Sequence, residues 1–310
     1  MNRKINFLIR LVVGLAIITF IYVKVGVGNI YNTLISADLG LVLIISVLFV
    51  IAMAVGIFNF KVLFSIFEKK PSDRGLIRDY FASWAVSLVA PGRIGELSMI
   101  YFLGRRGIGL GQSSAIVMVD KAITFLVVFF FSAIGFFVFL TPSQSFRLLG
   151  IVIAGLLAGS FFILTRAGRN ILKRVFRKYA GKFAGFSDAL YRLIRDPKVI
   201  IINFLLTLAK HVFTTFVFWL AFSAFGQEIS FINVLLVTSI SFIVSLIPIS
   251  ITGLGIRESA AIVFFSRISI PNEITISVYL LITILSYLIA LVIVLASGIS
   301  LKEGIRKLSA

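Results

Sequence analysis

The sequence predicts an all-α protein that crosses a membrane several times. Hydrophobic residues make up 60% of its 310 positions and charged residues only 14%, about half the share found in globular proteins. The mean hydropathy is +1.11. A chain of this composition cannot bury its apolar residues in one core and still cover itself with polar surface. Apolar runs of about 18 or more residues recur along it, and each is long enough to cross a bilayer as a helix.

Six apolar runs predict transmembrane helices, and two further runs are interrupted near their middles. The predicted spans are roughly residues 8–27, 39–66, 112–140, 146–165, 199–225 and 273–300. The interrupted segments cover about 77–103 and 231–268. The whole chain, 1–310, is therefore predicted to form one transmembrane domain.

Proline and glycine predict the two interruptions. The first reads PGRIGE and the second reads PISITGLGIRE. Proline removes a backbone donor and glycine loosens the chain, so neither stretch is expected to be a continuous helix. Each segment is then a kinked crossing or a re-entrant hairpin that returns to its own side. The residues that predict the breaks are Pro91, Gly92, Gly95, Pro248, Gly253 and Gly255.

The placement of basic residues favours re-entrant hairpins. With two hairpins and a cytoplasmic N-terminus, only three basic loop residues face the exterior: Lys24, Arg147 and Arg267. A crossing in the first segment would instead place Arg105 and Arg106 outside, against the positive-inside rule. We therefore expect a multi-pass protein of the cell (inner or plasma) membrane with both termini in the cytoplasm. The first hairpin enters from the cytoplasm and the second from outside.

The overall charge and the residue counts exclude several classes of function. The formal net charge is +18, but the basic residues lie between apolar runs, where membrane topology and anionic lipid explain them better than nucleic acid does. The absence of cysteine and the single histidine exclude disulfides, thiolate chemistry and multi-histidine metal sites. We expect no cofactor.

The two interrupted segments also resemble each other. Residues 86–89 read VSLV before the first break, and residues 244–247 read VSLI before the second, 158 positions later. Proline, glycine, arginine and glutamate follow in both. Similar segments that enter from opposite sides predict an inverted repeat, an architecture that places a transport site near the bilayer midplane.

The same residues support a resemblance to a known family. The pattern PGRxGE followed far downstream by PxSxxGxGxRE resembles the lysylphosphatidylglycerol synthase transmembrane region, also called the flippase-like domain. The resemblance extends over nearly the whole chain and includes Val119, Asp120 and Lys121, where the family tends to carry an acidic–basic pair. Relatives include the membrane half of the bacterial multiple peptide resistance factor, which moves aminoacylated phosphatidylglycerol between leaflets. The resemblance implies lipid translocation at a site formed by two re-entrant helices.

Several charged residues are predicted at membrane depth, where each costs a few kcal/mol unless it is paired or hydrated. Cations outnumber carboxylates among them, which suits a phosphate ligand. Lys61 lies near a helix end and is expected to reach the interface. The candidate substrate-binding residues are Arg93, Glu96, Asp120, Lys121, Lys210, Arg257 and Glu258, and His211 is a candidate for proton coupling.

Two roles are open for the charges of the hairpins. Arg257 and Glu258 are adjacent in sequence, and adjacent residues on a helix do not face each other. We therefore expect ion pairs between the two hairpins, of Arg93 with Glu258 and of Arg257 with Glu96. Such pairs would hold the hairpins together. Alternatively, an arginine binds a lipid phosphate, helped by the N-termini of half-helices.

The polar residues predicted in the fifth span present a similar choice. The ammonium group of Lys210 needs either Asp120 or an anionic ligand. His211 is either a satisfied interior group or a proton carrier.

Residues 166–198 are predicted to form a basic amphipathic cytoplasmic loop. Its apolar residues recur at steps of three or four, with arginine and lysine between them. This spacing is typical of a pair of interfacial helices that lie on anionic headgroups.

The sequence therefore predicts a flippase-like protein that moves an anionic or phosphate-bearing lipid, such as an aminoacylated phosphatidylglycerol or a polyprenyl-phosphate-linked lipid. No aminoacyltransferase domain is seen after residue 300, so we expect no enzymatic activity. The alternatives are the membrane part of a lipid-modifying transferase and a non-catalytic scaffold for envelope synthesis. The expected partners are membrane lipids with anionic headgroups and a separate lipid-modifying enzyme.

Overall fold

The computed structural model describes residues 3–88, 94–164, 185–246, 250 and 253–297, and all regular structure in these residues is helical. The predicted all-α membrane fold is thereby confirmed. Two 3₁₀ helices, Ile94–Leu97 and Ser266–Ile268, accompany the α-helices. The α-helices of the described residues are α1 (Arg3–Val25), α2 (Val27–Ile35), α3 (Leu39–Phe64), α4 (Asp73–Ser87), α5 (Ser98–Arg105), α6 (Leu110–Phe139), α7 (Pro142–Leu164), α8 (Phe186–Arg195), α9 (Pro197–Ala224), α10 (Phe231–Ser245), α11 (Ile256–Phe265) and α12 (Asn272–Ser297).

Four of these helices are long and apolar enough to cross a membrane. They are α3, α6, α9 and α12, and they coincide with four of the predicted spans. A fifth candidate consists of Gly14–Val25 joined to α2, with a bend of 84° between the two parts. The bend falls at Gly26, whose φ of 98° favours glycine. The predicted span 146–165 falls largely within α7.

The first interrupted segment folds back on itself. Helix α4 ends at Ser87, just before the predicted break, and the chain resumes as a 3₁₀ helix at Ile94. The Ser83 hydroxyl donates a hydrogen bond of 3.0 Å to the Glu96 carbonyl, although a straight helix would separate residues 83 and 96 by about 20 Å. α4, the 3₁₀ helix and α5 are therefore called the first hairpin.

An ion pair joins the two limbs of the first hairpin near its open end. The guanidinium group of Arg106 donates two hydrogen bonds to Asp79, of 2.5 and 2.9 Å. Asp79 lies in the first limb, and Arg106 directly follows the second. Both ends of the hairpin therefore lie at one end of the helix bundle.

The second interrupted segment has the same form. Helix α10 ends at Ser245, and α11 begins at Ile256 and packs along it. The first residue of α10, Phe231, contacts Trp219 at a centroid distance of 6.5 Å. The last residue of α11, Phe265, contacts Phe222 at 4.8 Å. α10 and α11 are called the second hairpin, and it opens beside the C-terminal end of α9.

The two hairpins enter the bundle from opposite ends. Helices α3 and α9 are antiparallel, because the Asp38 amide at the start of α3 donates to the Ala224 carbonyl at the end of α9, at 2.9 Å. The first hairpin opens at the C-terminal end of α3, where Lys61 lies 2.8 Å from Asp73. The second opens at the C-terminal end of α9, which is the other end of the bundle.

Helix boundaries repeat along the chain with an offset of 158 residues. α3, α4 and α5 begin at Leu39, Asp73 and Ser98, and their counterparts α9, α10 and α11 begin at Pro197, Phe231 and Ile256. The caps repeat as well. Asp38 accepts a hydrogen bond from the amide of Leu41, and Asp196 accepts one from the amide of Val199.

Packing between the helices follows the same repeat. α6 packs on α5 and on α10 of the other hairpin, while α12 packs on α11 and on α4 of the other hairpin. Each hairpin thus lies between the helix that follows it and the corresponding helix of the other half. One apolar core forms around the first hairpin and another around the second.

Candidate functional site

A central cavity of about 280 Å³ lies between the two hairpins and helices α3, α6, α9 and α12. Its wall is largely apolar and aromatic, with Phe49, Trp84 and Phe242 among the residues that line it. Predicted site residues from both halves meet there, although they are far apart in sequence. Those that line the cavity are Glu96, Lys121, Lys210, His211 and Arg257.

The first hairpin contributes Glu96, which is bound to the following helix. The Nζ atom of Lys121 on α6 lies 2.5 Å from Oε2 of Glu96 and 3.0 Å from Oδ2 of Asp120. Asp120 is buried, with 5% of its surface exposed. Lys121 is therefore shared by two carboxylates, and the formal charges of these three groups sum to −1.

The second hairpin contributes Arg257 and Glu258, whose pairing differs from the expectation. Nη2 of Arg257 lies 2.7 Å from Oε1 of Glu258, its neighbour in sequence. The expected partner of Arg257 was Glu96, which the structure places against Lys121 instead. Adjacent residues can pair here because the arginine side chain is long enough to curl back at the first turn of α11.

The surroundings hold both members of this pair in place. The other carboxylate oxygen of Glu258 accepts a hydrogen bond of 2.7 Å from the Gly255 amide, which caps α11. Arg257 also donates to the Thr283 hydroxyl at 3.1 Å and lies over the Tyr279 ring, 5.1 Å from its centroid. Among its guanidinium nitrogens, Nη1 makes no hydrogen bond to the residues that the structure describes.

Lys210 on α9 has no carboxylate partner among the described residues. Its ammonium group donates one hydrogen bond of 3.3 Å, to the hydroxyl of Tyr80 on α4. Asp120, the protein partner considered for it, is instead bound by Lys121. Glycine at position 56 makes the contact possible, because a Cβ atom there would lie 2.0 Å from the Tyr80 hydroxyl.

A buried amide network lies beside the cavity. The Asn59 amide donates to Oδ1 of Asp120 at 3.3 Å and to the Thr207 hydroxyl at 2.7 Å. Asn203 donates to the Asn59 carbonyl oxygen, also at 2.7 Å. These interactions orient Asp120 and tie α3 to α9.

Sequence reasoning missed this network and Tyr80. A signal for part of it is present on α9, where polar residues occur at steps of four, three and four, a spacing that places them on one helix face. They are Asn203, Thr207, Lys210 and Thr214.

His211, the candidate for proton coupling, also lines the cavity. Its Nε2 atom lies 2.8 Å from the Ser239 hydroxyl on α10, and its ring stacks on Phe131 at a centroid distance of 5.6 Å. Ser239 in turn donates to the Leu235 carbonyl. The histidine is therefore a hydrogen-bonded link between α9 and the second hairpin.

The predicted break residues divide into two groups. Gly95 and Gly253, 158 residues apart, pack directly on Ser87 and Ser245, because a Cβ atom on either glycine would lie within 2.5 Å of these serines. Gly255 has a φ of 84° and packs against Ile17 of α1. The others, together with one predicted binding residue, lie outside the described residues. These are Pro91, Gly92, Arg93 and Pro248.

The sequence matches one known protein family over most of its length. Residues 7–294 match the family described as the lysylphosphatidylglycerol synthase TM region. The chain belongs to this family. No curated protein matches it.

The site is well suited to bind an anion beside apolar chains. In this member of the lysylphosphatidylglycerol synthase TM region family, two cationic groups at the cavity have donors free of described carboxylates. They are the ammonium group of Lys210 and Nη1 of Arg257. No group of three His, Asp or Glu that could hold a metal ion occurs in the part of the chain that the structure describes.

Proposed function

We propose that this protein moves an anionic or phosphate-bearing lipid between the leaflets of the cell membrane. Aminoacylated phosphatidylglycerol and polyprenyl-phosphate-linked lipids are the substrates with suitable chemistry. The proposal rests chiefly on Lys210, which lines the central cavity and whose only hydrogen-bond partner among the described residues is the Tyr80 hydroxyl.

The charge on Lys210 supports an anionic ligand. An ammonium group away from water is destabilising by a few kcal/mol unless an opposite charge compensates it. Asp120 and Glu96 act on Lys210 electrostatically, but both are already paired with Lys121. A phosphate in the cavity would supply a direct ionic partner. Arg257 lines the same cavity, and its Nη1, which makes no hydrogen bond to described residues, offers a second donor to an anionic ligand.

The architecture supports movement across the membrane. We assign the two hairpins as re-entrant, because each has both ends at one end of the bundle and the two open at opposite ends. The 158-residue offset and the matching packing support an inverted repeat. Such repeats place a site near the midplane, accessible from either side in turn. With N- and C-termini in the cytoplasm, the first hairpin enters from the cytoplasm.

We infer that the protein acts as a transporter and not as an enzyme. The groups in the cavity are ion pairs, hydroxyls and amides, and no serine or threonine among those described is hydrogen-bonded to a carboxylate base. The alternative is the membrane part of a lipid-modifying transferase that works with a separate soluble enzyme. Chemical change of the lipid by the purified chain would favour that alternative.

A reconstituted transport assay tests the proposal. Proteoliposomes that contain fluorescent phosphatidylglycerol would be assayed for movement of the label between leaflets. We expect Lys210→Met to lower the rate at least about tenfold, equivalent to about 1.4 kcal/mol in the barrier. Lys61→Met is the matched control, because this lysine lies on the surface, bound to Asp73. Equal rates for Lys210→Met and wild type would refute the role of Lys210 in binding the lipid.

A further inference from the structure

Helix α8 lies at the end of the bundle where the first hairpin opens. It packs on α6 and leads directly into α9. Ala189 and Leu193 are buried in the core that surrounds the first hairpin. One face of this short helix is thus fixed to the protein, which also fixes the direction of the other face.

The opposite face of α8 is exposed and carries both apolar and basic groups. Tyr191 is 55% exposed and Ile194 58% exposed. Arg192 and Arg195 are exposed beside them, and the Arg195 guanidinium lies 4.3 Å from the centroid of the Tyr191 ring. This combination suits a helix at the boundary between headgroups and acyl chains.

A groove runs between this face and the end of α3. Arg192, Arg195 and Asp196 are its charged residues. Oδ1 of Asp196 already caps α9 by accepting a hydrogen bond from the Val199 amide. An anion in the groove would therefore interact mainly with guanidinium groups. The lining residues are Ile66, Tyr191, Arg192, Arg195, Asp196 and Pro197.

Helix α2, at the other end of the bundle, provides an internal comparison. It also follows a glycine of positive φ, Gly26 at 98° against Gly185 at 82° for α8, and it precedes the other aspartate-capped span. It exposes a tyrosine as well, since Tyr31 is 62% exposed. However, α2 carries no charged residue, whereas α8 carries two arginines and one aspartate. Equivalent helices at the two ends of the bundle therefore differ in charge, since α8 is basic and α2 is uncharged.

We propose that the groove of α8 binds the phosphate headgroup of an anionic phospholipid in the adjacent leaflet. Arg192 and Arg195 bind the phosphate oxygens, and Ile194 and Tyr191 lie among the first methylenes of the acyl chains. Guanidinium groups suit this role because they donate paired hydrogen bonds to phosphate and are weakly hydrated. This site is separate from the central cavity and does not depend on transport.

Labelling of a single cysteine tests the proposal, since the natural chain contains none. Ile194→Cys would carry an environment-sensitive fluorophore, and the full-length protein would be placed in nanodiscs of phosphatidylcholine with or without phosphatidylglycerol. We expect a blue shift of the emission when phosphatidylglycerol is present. Adding Arg192→Gln and Arg195→Gln should abolish that shift, and replacing both by lysine should reduce it.

Two controls make the outcome decisive. A label at Tyr31→Cys on α2 should show no dependence on phosphatidylglycerol, because that helix has no basic residue. Soluble glycerol phosphate added to phosphatidylcholine nanodiscs should give no shift at position 194, and a shift would mean that the groove binds free phosphate esters. The proposal is overturned by equal emission in both lipids, or by a lipid-dependent shift that survives the double glutamine change.

Discussion

Lys121 on α6 and Glu96 on the first hairpin form an ion pair, with 2.5 Å between Nζ and Oε2. The same ammonium group lies 3.0 Å from Asp120, so a single cation is shared by two carboxylates at the cavity. We therefore expect Lys121 to contribute more to stability than Glu96 does.

Removing the cation should destabilise the protein more than removing one carboxylate. Lys121→Met leaves Glu96 and Asp120 without their common partner, and breaking a buried pair in this way costs about 3–5 kcal/mol. Glu96→Gln leaves Lys121 still paired with Asp120, so its cost should be clearly smaller. Thermal unfolding of the purified variants in detergent measures the difference, and equal melting temperatures for the two would show that the cluster does not depend on Lys121.

Variants of Arg257 and Glu258 test whether this ion pair only stabilises the structure or also binds lipid. Arg257→Ala alone should destabilise the protein by about 3–5 kcal/mol, because it leaves Glu258 buried without its partner. The double variant Arg257→Ala, Glu258→Gln should regain much of that stability and still fail to move lipid. Unfolding and proteoliposome assays on the same preparations test this. Full transport by a stable double variant would mean that the pair is only a clamp.

The two glycines that pack on the hairpin serines should not tolerate alanine. A Cβ atom on Gly95 would lie 2.4 Å from the Ser87 backbone, and one on Gly253 would lie 2.5 Å from the Ser245 side chain. We expect each alanine variant to lose about 1–3 kcal/mol of stability or more. Gly28→Ala is the control, since no atom lies within 4 Å of its Cβ position. Wild-type melting temperatures for both hairpin variants would contradict the close packing.

The membrane topology is open to direct measurement. Residue 75 lies in the first turn of α4 and residue 108 follows α5. Reporter fusions after both should report the cytoplasm, because Asp79 and Arg106 bring the two ends of the first hairpin together. Fusions after residues 30, 143 and 228 should report the exterior. A reporter that faces outward at position 108 would show that the first segment crosses the membrane.

We expect the role of His211 to depend on its hydrogen bond to Ser239 and not on protonation of its ring. His211→Gln keeps a side chain able to bond the Ser239 hydroxyl, which lies 2.8 Å from the histidine. We expect this variant to fold and to transport lipid at close to the wild-type rate, with the same dependence on pH. Measured rates across the range of about pH 5 to 8, where histidine ordinarily titrates, test this. Loss of a pH dependence present in the wild type would instead identify His211 as a proton carrier.

The sequence predicted the helical membrane fold because long apolar runs depend only on local composition. It also located the interruptions, since proline and glycine act on their own backbone. It could not predict the pairing in the cavity, which depends on helix packing. Glu96 meets Lys121 because the first hairpin lies against α6, and Lys210 meets Tyr80 only because Gly56 leaves room between two other helices.

The antiparallel relation of α3 and α9 bears on how such a protein could arise. In the proposed topology each half crosses the bilayer three times, through α1, α3 and α6 in the first half and through α7, α9 and α12 in the second. A unit with an odd number of crossings ends on the side opposite to its start, so a tandem copy fused to it inserts upside down. Gene duplication alone would then generate both orientations, without any rearrangement of the copied segment.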